Sequence, residues 1–403
     1  MTRPRRLRAL TALGLLVIAP FVGLGAFAQV PLLPVQTLSL PPDPNPYPEP
    51  HFGKAFFGRW VAVDGRRMIV VPATAHAAYA YKKDDAGHWT YDGALSIPEG
   101  TVGFSGGALS DRTAVLSIGA GDDAGGFLYV FTRDRGAWHF VQKLTEPAPE
   151  GTSGLNFFGY QMAFNGRTLV VSNFTDADGR GGAYVYSKTP AGRLVYRTKL
   201  TIEDAGVSAF GWSVAVEGDR IAIASLEEGG SVHLFQHSHG AWTLEQTLKS
   251  PPVGGDPAVQ QYFGNSVALS GKTLIVASPN ADWVFNPFRA GAAFVFRRRA
   301  HEWQLDQELV NPSGGLGQFG VVVATNGSRA AVTMSRAVYV FARDRGAWTP
   351  EGQILGDINF GLGYILAWDR RTLAVGQVSL PIPSSAVFDG QVDIYRVPGA
   401  EQP

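Results

Sequence analysis

Cysteine is absent from the 403-residue sequence, and charged residues are scarce. The lack of cysteine excludes disulfides, thiol nucleophiles, iron–sulfur clusters and cysteine-ligated zinc. Charged residues make up 17%, and the 34 basic residues balance the 34 acidic ones. Proteins that bind nucleic acid usually carry a strong basic excess, so this balance predicts no nucleic-acid partner.

Catalytic motifs are also missing. The sequence has no Gly-x-Ser-x-Gly nucleophile elbow between a strand and a helix, no His-Glu-x-x-His, no phosphate-cradling loop and no dinucleotide fingerprint. We therefore assign no catalytic residue and no cofactor. An enzyme whose catalytic residues come from distant parts of the chain stays open as an alternative, because spacing does not reveal such residues.

Residues 1–28 differ from the rest of the chain. Four arginines, Arg3, Arg5, Arg6 and Arg8, precede an apolar run from Ala9 to Ala28 that ends in Ala26-Phe27-Ala28. This order predicts a signal peptide that is cleaved before Gln29. The alternative is an uncleaved anchor, since about 20 apolar residues can span a bilayer.

Loss of these residues would leave 30 basic and 34 acidic residues, a mildly acidic chain. We predict an exported protein, periplasmic or at the cell surface or outside it, with no membrane span after cleavage. The Arg5-Arg6 pair leaves open whether export is Sec-type or twin-arginine.

A repeat of about 50 residues dominates the remaining chain. It begins with a phenylalanine, which glycine follows in six of seven copies, at Phe57, Phe104, Phe158, Phe210, Phe263, Phe319 and Phe360. Each copy reads as four strands, with a first turn such as Asp64-Gly65 and a third strand such as Ala183-Tyr184-Val185-Tyr186. A tryptophan and a Gln-x-Leu follow the second turn, and we interpret the tryptophan as packing between units.

Seven four-stranded units predict an all-β fold, a seven-bladed β-propeller over residues 33–397. Short tails at 29–32 and 398–403 flank it. Five residues after the phenylalanine stands a small residue, Ala62, Ala163, Ala215, Ala268 or Ala324, with Leu109 and Ile365 as exceptions. Small side chains are expected where seven inner strands meet on an axis.

The ring closure can also be predicted. The last copy supplies three strands, and its third ends at Val392-Asp393-Ile394-Tyr395. Near the other end, Val35-Gln36-Thr37-Leu38 matches Glu245-Gln246-Thr247-Leu248 of a fourth strand. We predict that residues 33–40 form the outer strand of the last blade and cover its open edge.

These units resemble FG-GAP repeats, the units of the integrin alpha-subunit propeller and of many bacterial exported proteins. The Phe263-Gly264-Asn265-Ser266-Val267-Ala268 start and the following Phe-Val-Phe strand are most similar to the bacterial type. The resemblance covers residues 33–397 and implies the propeller fold. It implies no particular activity, because the family consists mostly of binding, adhesion or unassigned modules.

Integrin-like repeats carry an Asp-rich calcium loop between strands one and two. Here that connection is a turn such as Ser270-Gly271-Lys272, too short to supply calcium ligands. We predict no metal site, and read Asp176-Ala177-Asp178-Gly179 and Asp122-Asp123 as solvated loops. His237-Ser238-His239 is interpreted as a solvated turn, because a metal site needs three or four ligands.

One loop, Pro279 to Gly291, stands out for its aromatic content. It carries the candidate ligand-binding residues Trp283, Phe285, Phe288 and Arg289, types that are enriched at interface hot spots. The alternative is that they pack on their own blade. The segment Ser250 to Gln261 is predicted on the same loop-rich face, opposite the tight turns.

The sequence therefore predicts an exported, monomeric, non-enzymatic binding module whose partner is a protein or a glycan. One alternative is a glycan hydrolase or lyase with polar residues around the axial mouth. Another is a structural envelope component. Several acidic, histidine or arginine side chains in one axial pocket would favour the enzyme.

Overall fold

The computed structural model of the chain describes residues 30–41, 56–98, 102–119, 126–147, 156–204, 206–227, 229–251, 262–279, 291–314, 318–334, 337–356, 360–379 and 390–397. These residues form seven antiparallel sheets arranged as a β-propeller, each with four strands that run from the axis outwards, and one sheet also carries a fifth, short strand. The predicted fold is confirmed. The predicted signal peptide and the aromatic loop 280–290 lie outside the described residues.

Each blade runs from an inner first strand to an outer fourth strand. Blade 1 comprises Trp60–Asp64, Arg67–Val71, Ala77–Lys83 and Trp89–Ser96. Blade 2 comprises Val102–Ser110, Thr113–Ile118, Phe127–Asp134 and Ala137–Leu144, and the short strand Thr74–Ala75 joins its inner edge. Blade 3 comprises Met162–Phe164, Thr168–Asn173, Gly182–Lys188 and Leu194–Leu200, with a short helix at Asp176–Gly179.

The other blades repeat this order. Blade 4 comprises Val214–Glu217, Arg220–Ser225, Ser231–Ser238 and Ala241–Lys249. Blade 5 comprises Val267–Ser270, Thr273–Ser278, Ala292–Arg299 and Glu302–Val310. Blade 6 comprises Val323–Thr325, Arg329–Met334, Ala337–Asp344 and Ala347–Leu355. Blade 7 comprises Phe360–Asp369, Thr372–Ser379 and Gly390–Arg396, and its outer strand is Gln36–Leu38.

The outer strand of blade 7 comes from the start of the described chain. Gln36, Thr37 and Leu38 pair antiparallel with Ile394, Asp393 and Val392. Thr37 also donates its hydroxyl to the Asp393 carboxylate at 2.6 Å. This pairing supplies the fourth strand that the last repeat lacks, and it covers an edge that would otherwise be open.

Alanine occupies the same inner-strand position in all seven blades. Ala62, Ala163, Ala215, Ala268 and Ala324 were predicted there from spacing, and they line the axial opening. The two predicted exceptions, Leu109 and Ile365, were wrong. Bulges between Phe104 and Gly106 and between Leu362 and Leu366 shift the register, so that Ala108 and Ala367 take this position.

The Phe-Gly start of the repeat fixes the contact between neighbouring blades. Phe263 is fully buried among Ala224 and Val232 of blade 4 and Phe294 of blade 5. Gly320 has φ +87°, and a Cβ on it would lie 2.2 Å from the Ala292 carbonyl oxygen. Glycine is required there because the backbones approach too closely for any side chain.

The tryptophan of the fourth strand packs at the blade junctions, as predicted. Trp89, Trp303 and Trp348 are buried, whereas Trp138 and Trp242 are half-buried. Within the described ranges, no helix has the length and apolar character that a membrane crossing needs.

Candidate binding cleft between blades 3 and 4

A glutamine clamp closes four of the blade junctions. The side-chain amide of a fourth-strand glutamine donates to the carbonyl of the first or second residue of the next blade's fourth strand, and its oxygen accepts that same residue's N–H. The donor–acceptor distances lie between 2.8 and 3.1 Å. The pairs are Gln36–Trp89, Gln142–Leu194, Gln246–Trp303 and Gln307–Trp348.

An ion pair accompanies the clamp at two of these junctions. The residue before the glutamine is acidic and reaches an arginine that faces the clamped tryptophan across strands three and four. Glu245 lies 2.6 Å from Arg298. Asp306 lies 3.6 Å from Arg343. Both carboxylates are almost buried, with 11% and 5% of the side chain exposed. Because little solvent reaches these ion pairs, the attraction between their charges is weakly screened and helps to hold the blades together.

Two junctions without the clamp are closed by other contacts. Between blades 1 and 2, Gly93 replaces the glutamine, but Asp92 holds Arg133 through two hydrogen bonds of 2.6 and 2.8 Å. Between blades 6 and 7, Gly352 replaces it, and the segment Val30–Leu32 covers the position. The Leu32 N–H donates to the Gln353 carbonyl at 2.8 Å.

The junction between blades 3 and 4 has neither device. Thr198 stands at the clamp position and Arg197 at the acidic position, as the register of the third and fourth strands shows. On blade 4, Trp242 stands at the position of the clamped tryptophans, and His237 stands at the position of the arginines that pair with them. A cation therefore faces a histidine where two other junctions pair an acid with an arginine.

A cleft of about 1050 Å³ opens at this junction. Blade 3 lines it with parts of its second, third and fourth strands, and blade 4 lines it with its two tight turns. The lining includes Tyr186, Ser187, Arg197, Thr198, His237 and Trp242. At its inner end the Asn165 amide donates to the Gly218 carbonyl at 3.1 Å, which joins the two blades there. The cleft thus widens outwards from a closed inner end.

The backbone of Trp242 faces the cleft without a side-chain clamp. The His237 N–H donates to the Asp219 carbonyl at 2.8 Å, so the His237–Trp242 pair is of the non-hydrogen-bonded type and the Trp242 N–H and carbonyl point outwards. The Tyr186 side chain, by contrast, is buried on the other face of blade 3, against Leu128 and Val130 of blade 2. Burial raises the pKa of Tyr186 far above its usual value, so the hydroxyl stays a neutral donor.

The two walls of the cleft differ in charge. Blade 3 contributes Arg167 and Arg197, both exposed, and neither makes an ion pair with a carboxylate in the part of the chain that the structure describes. The Arg197 Nε donates to the Ser187 hydroxyl at 2.5 Å. Blade 4 contributes Glu217 and Asp219, of which Asp219 is engaged by Arg220 at 2.7 Å. The blade 3 wall of the cleft is therefore cationic.

A second polar cluster lies inside blade 3, and it corrects a prediction. Asp176 is not in a solvated loop, because it is buried and lies 2.8 Å from the Lys199 amine. The Tyr184 hydroxyl contacts both Asp176 and Glu146. Burial, followed by these two contacts, raises the pKa of Tyr184 far above its usual value.

The same cluster ties the start of repeat three to the preceding blade. Glu146 also accepts hydrogen bonds from the side chains of Asn156 at 2.7 Å and Asn173 at 2.9 Å. These mutual contacts satisfy the groups that burial would otherwise leave without partners. We assign the cluster a structural role, because its carboxylates are occupied within the chain.

A serine–histidine pair in blade 4 resembles a catalytic dyad only in its distances. The His233 Nε2 lies 2.8 Å from the Ser225 hydroxyl, and its Nδ1 lies 3.1 Å from the Thr247 hydroxyl. Ser225 is 0% exposed and His233 2%, so no substrate reaches the serine. Burial lowers the pKa of His233 to about 4, which keeps the ring neutral. The residues 103–107, which fit the letters Gly-x-Ser-x-Gly, lie inside the strand Val102–Ser110 and form no elbow.

The axial opening is lined by uncharged side chains. It holds about 310 Å³ and is lined by the central residues of the seven inner strands, which are aliphatic, aromatic, methionine, glycine or threonine. Neither an acidic side chain nor a histidine nor an arginine belongs to this lining. The arrangement that would favour a glycan hydrolase or lyase is therefore not found at the axis among the described residues.

The predicted binding residues Trp283, Phe285, Phe288 and Arg289 lie outside the described residues, as do Asp122 and Asp123. In the described turn 237–239, the His237 ring packs at a tilt against the Trp242 ring with centroids 5.0 Å apart, and His239 is exposed. The described part of the chain contains no group of three histidine, aspartate or glutamate side chains placed to hold a metal ion.

Sequence reasoning missed the cleft, although a signal was present. The Gln-x-Leu of the repeat becomes Thr198-Lys199-Leu200 in copy three. Copies one and six also lose the glutamine, to Gly93 and Gly352, so the departure alone does not single out the open junction. Its meaning depends on knowing which backbone groups the glutamine holds in the other copies.

Comparisons with known proteins agree with this architecture. The family model described as FG-GAP repeat matches residues 242–296, from the fourth strand of blade 4 to the third strand of blade 5. No curated protein matches the sequence.

Among solved structures, the chain is similar to the Swd1 β-propeller domain of Myceliophteria thermophila, with 11% identity and a TM-score of 0.57, over 90% of this chain and 100% of that one. It is also similar to a putative 6-phosphogluconolactonase of Bacteroides fragilis, with 13% identity and a TM-score of 0.51, over 74% and 85% of the two chains. At such low identity these likenesses concern the fold alone. The chain is a seven-bladed β-propeller that contains an FG-GAP repeat.

Proposed function

We propose that this protein is an exported, non-enzymatic interaction module that holds its ligand in the cleft between blades 3 and 4. The observation that carries the proposal is the unclosed junction. Thr198 and Arg197 replace the glutamine and the acid that fill equivalent positions elsewhere, and a cleft of about 1050 Å³ results. A concave site with a few convergent polar groups on a rigid scaffold is the usual form of a binding site.

Two further observations support binding over catalysis. The axial opening has no charged side chain in its described lining. The buried polar clusters around Tyr184 and His233 are occupied by contacts within the chain. The partner in this proposal is a protein or a glycan, and the chain acts as a monomer.

Export is the second part of the proposal. FG-GAP repeats are typical of exported proteins. The basic head and apolar run of residues 1–28 support cleavage before Gln29 and a place in the periplasm or at the cell surface. N-terminal sequencing of the protein from its native host should then begin at Gln29.

The aromatic loop is proposed as a second contact surface on the loop-rich face. If Trp283, Phe285, Phe288 and Arg289 contact the partner, Trp283→Ala weakens binding by about 2 kcal/mol or more and leaves the melting temperature unchanged. If they pack on their own blade, the same change lowers stability by about 3–5 kcal/mol. A melting curve distinguishes these outcomes.

The cleft is tested by closing it. The double variant Arg197→Glu/Thr198→Gln restores the acid and the clamp of the closed junctions. Wild type and variant are probed in parallel on glycan and peptide arrays, with Arg345→Glu as control because Arg345 is exposed in a turn of blade 6. We expect the wild-type signals to persist in the control and to disappear in the double variant. Signals that survive closure, or turnover of an arrayed glycan, would contradict the proposal.

A further inference from the structure

The cleft retains one half of a recognition pair that the molecule uses elsewhere. At the junctions of blades 4 with 5 and 5 with 6, the outer strand of one blade presents an acid followed by glutamine, Glu245-Gln246 and Asp306-Gln307. The next blade presents a tryptophan backbone and an arginine. At blades 3 and 4 the receiving half is present in Trp242 and His237, and the acid–glutamine half is missing.

We propose that the cleft binds an extended acidic segment of a partner protein, with an acid followed by glutamine. This inference rests on the proposed function of the cleft and names its ligand class. The glutamine of the partner would accept a hydrogen bond from the Trp242 N–H and donate one to the Trp242 carbonyl. Gln246 makes the same two hydrogen bonds with Trp303, at 2.8 and 3.0 Å.

The charge of the cleft favours the acidic residue. Arg197 and Arg167 carry no carboxylate partner among the described residues, and Arg197 occupies the position from which Glu245 and Asp306 reach their arginines. A carboxylate that enters beside Arg197 gains a charge-assisted hydrogen bond in a partly desolvated place. A basic segment would meet uncompensated arginines.

A peptide fits better than an acidic glycan because of the backbone groups. The outward N–H and carbonyl of Trp242 are spaced to be held by one carboxamide, a group that glutamine carries and a uronic acid lacks.

The probe is the blocked pentapeptide Leu-Glu-Gln-Thr-Leu, which copies residues 244–248 of the chain itself. It is titrated into the full chain by calorimetry at low ionic strength, beside two control peptides in which lysine replaces glutamate or alanine replaces glutamine. We expect the lysine peptide to bind at least ten-fold more weakly than the probe, and the alanine peptide to bind several-fold more weakly. Binding should also weaken as salt is added, because exposed charges are screened.

Variants of the chain complete the test. Arg197→Glu should weaken binding of the probe at least ten-fold, and Thr198→Gln should weaken it several-fold. Arg345→Glu makes the same change of charge on an exposed turn and should leave the affinity for the probe unchanged. Arg197 is exposed, so its variant keeps the test valid if Thr198→Gln fails to fold. Equal binding of the glutamate and lysine peptides, or equal effects of the two arginine variants, would overturn the proposal.

A third arm separates the two proposals. If an oligogalacturonate binds wild type but not Arg197→Glu, and the probe peptide does not bind, the proposal of a peptide ligand is overturned. The cleft would then still be a binding site. Failure of every probe at the cleft, together with array signals that survive its closure, would overturn both. Sedimentation of the unliganded chain as a dimer that Arg197→Glu dissociates would instead assign the cleft to a second copy, and would overturn a separate partner.

Discussion

Blade 4 takes part in two junctions that share one architecture and differ in their chemistry. On the side of blade 5, Gln246 holds both backbone groups of Trp303, and Glu245 lies 2.6 Å from Arg298. On the side of blade 3, Thr198 and Arg197 stand at those positions, and a cleft of about 1050 Å³ opens. The open junction thus differs from the closed one at Thr198 and Arg197, and also at His237, which stands where the closed junction has Arg298.

The comparison shows how a repeat protein can gain a binding site without a change of fold. The apolar core at both junctions is continuous, since Phe210 and Phe263 are each buried between blades. The outer polar contacts contribute less to stability than this core, so one of them can be absent while the ring stays closed.

The largest expected effect comes from breaking the closed junction. Glu245→Ala leaves Arg298 without its carboxylate, and with 15% of its side chain exposed this cation is poorly hydrated. We expect a loss of about 3 kcal/mol in the free energy of unfolding, measured by urea denaturation. Glu302→Ala, at an exposed residue of the next outer strand, serves as control and should change stability by less than about 0.5 kcal/mol. Equal losses in the two variants would contradict the role of the ion pair.

The next largest effect is a pH dependence of stability that comes from the core of blade 4, between its two junctions. His233 has its pKa lowered from 6.5 to about 4 by burial, so the unfolded chain takes up this proton first as the pH falls. Its contribution to stability is complete above pH 6.5 and is lost between pH 6.5 and about 4.

The measurement compares urea unfolding at pH 7 and pH 5 in wild type and in His233→Phe, which copies Phe294 of blade 5. By pH 5 the wild type should lose about 2 kcal/mol more than the variant does. Equal losses in both proteins would show that His233 is not held neutral.

A smaller difference is expected from the clamp alone. Gln307→Ala removes two hydrogen bonds of 2.8 Å and should cost about 1–2 kcal/mol. Thr198→Ala, at the equivalent position of the open junction, should cost less than about 0.5 kcal/mol. Both are measured by chemical denaturation in the same buffer. Equal costs would mean that Thr198 already closes its junction.

The smallest effect is a gain. Arg197→Glu/Thr198→Gln supplies the missing acid and carboxamide, and we expect the free energy of unfolding to rise by about 1 kcal/mol. Thr198→Gln alone should give part of this rise, since its hydrogen bonds do not depend on charge. A loss of stability in both variants would show that the cleft is too wide for the clamp to reach Trp242.

The fold was predictable because each repeat contains the turn residues and the strand pattern that determine its local structure. Glycine at positions such as Gly65 supplies the positive φ, +59°, of a two-residue turn, and alternating aromatic residues mark the third strand. The bulges in blades 2 and 7 were not predictable from spacing. They place the alanine four residues after the phenylalanine in blade 2 and seven in blade 7, instead of five, and so hid Ala108 and Ala367 at the axis.

The candidate site was harder to predict, since its residues are distant in sequence. Thr198 and Trp242 are unremarkable in isolation, and their importance comes from contacts that four other junctions make and theirs does not. Asp176 was misread for a related reason. Its loop looks solvated in sequence, but Lys199 and Tyr184 from other strands bury it.

By itself, the sequence determined the number of blades, the four strands of each blade and the strand that closes the ring. These features depend on tight turns and on a pattern repeated seven times, and both can be recognised from residues that are adjacent in sequence. Only the tertiary structure decided which junction is open. Closure depends on whether one side chain reaches the backbone of a strand about 50 residues away, and that distance exists only once the ring has formed.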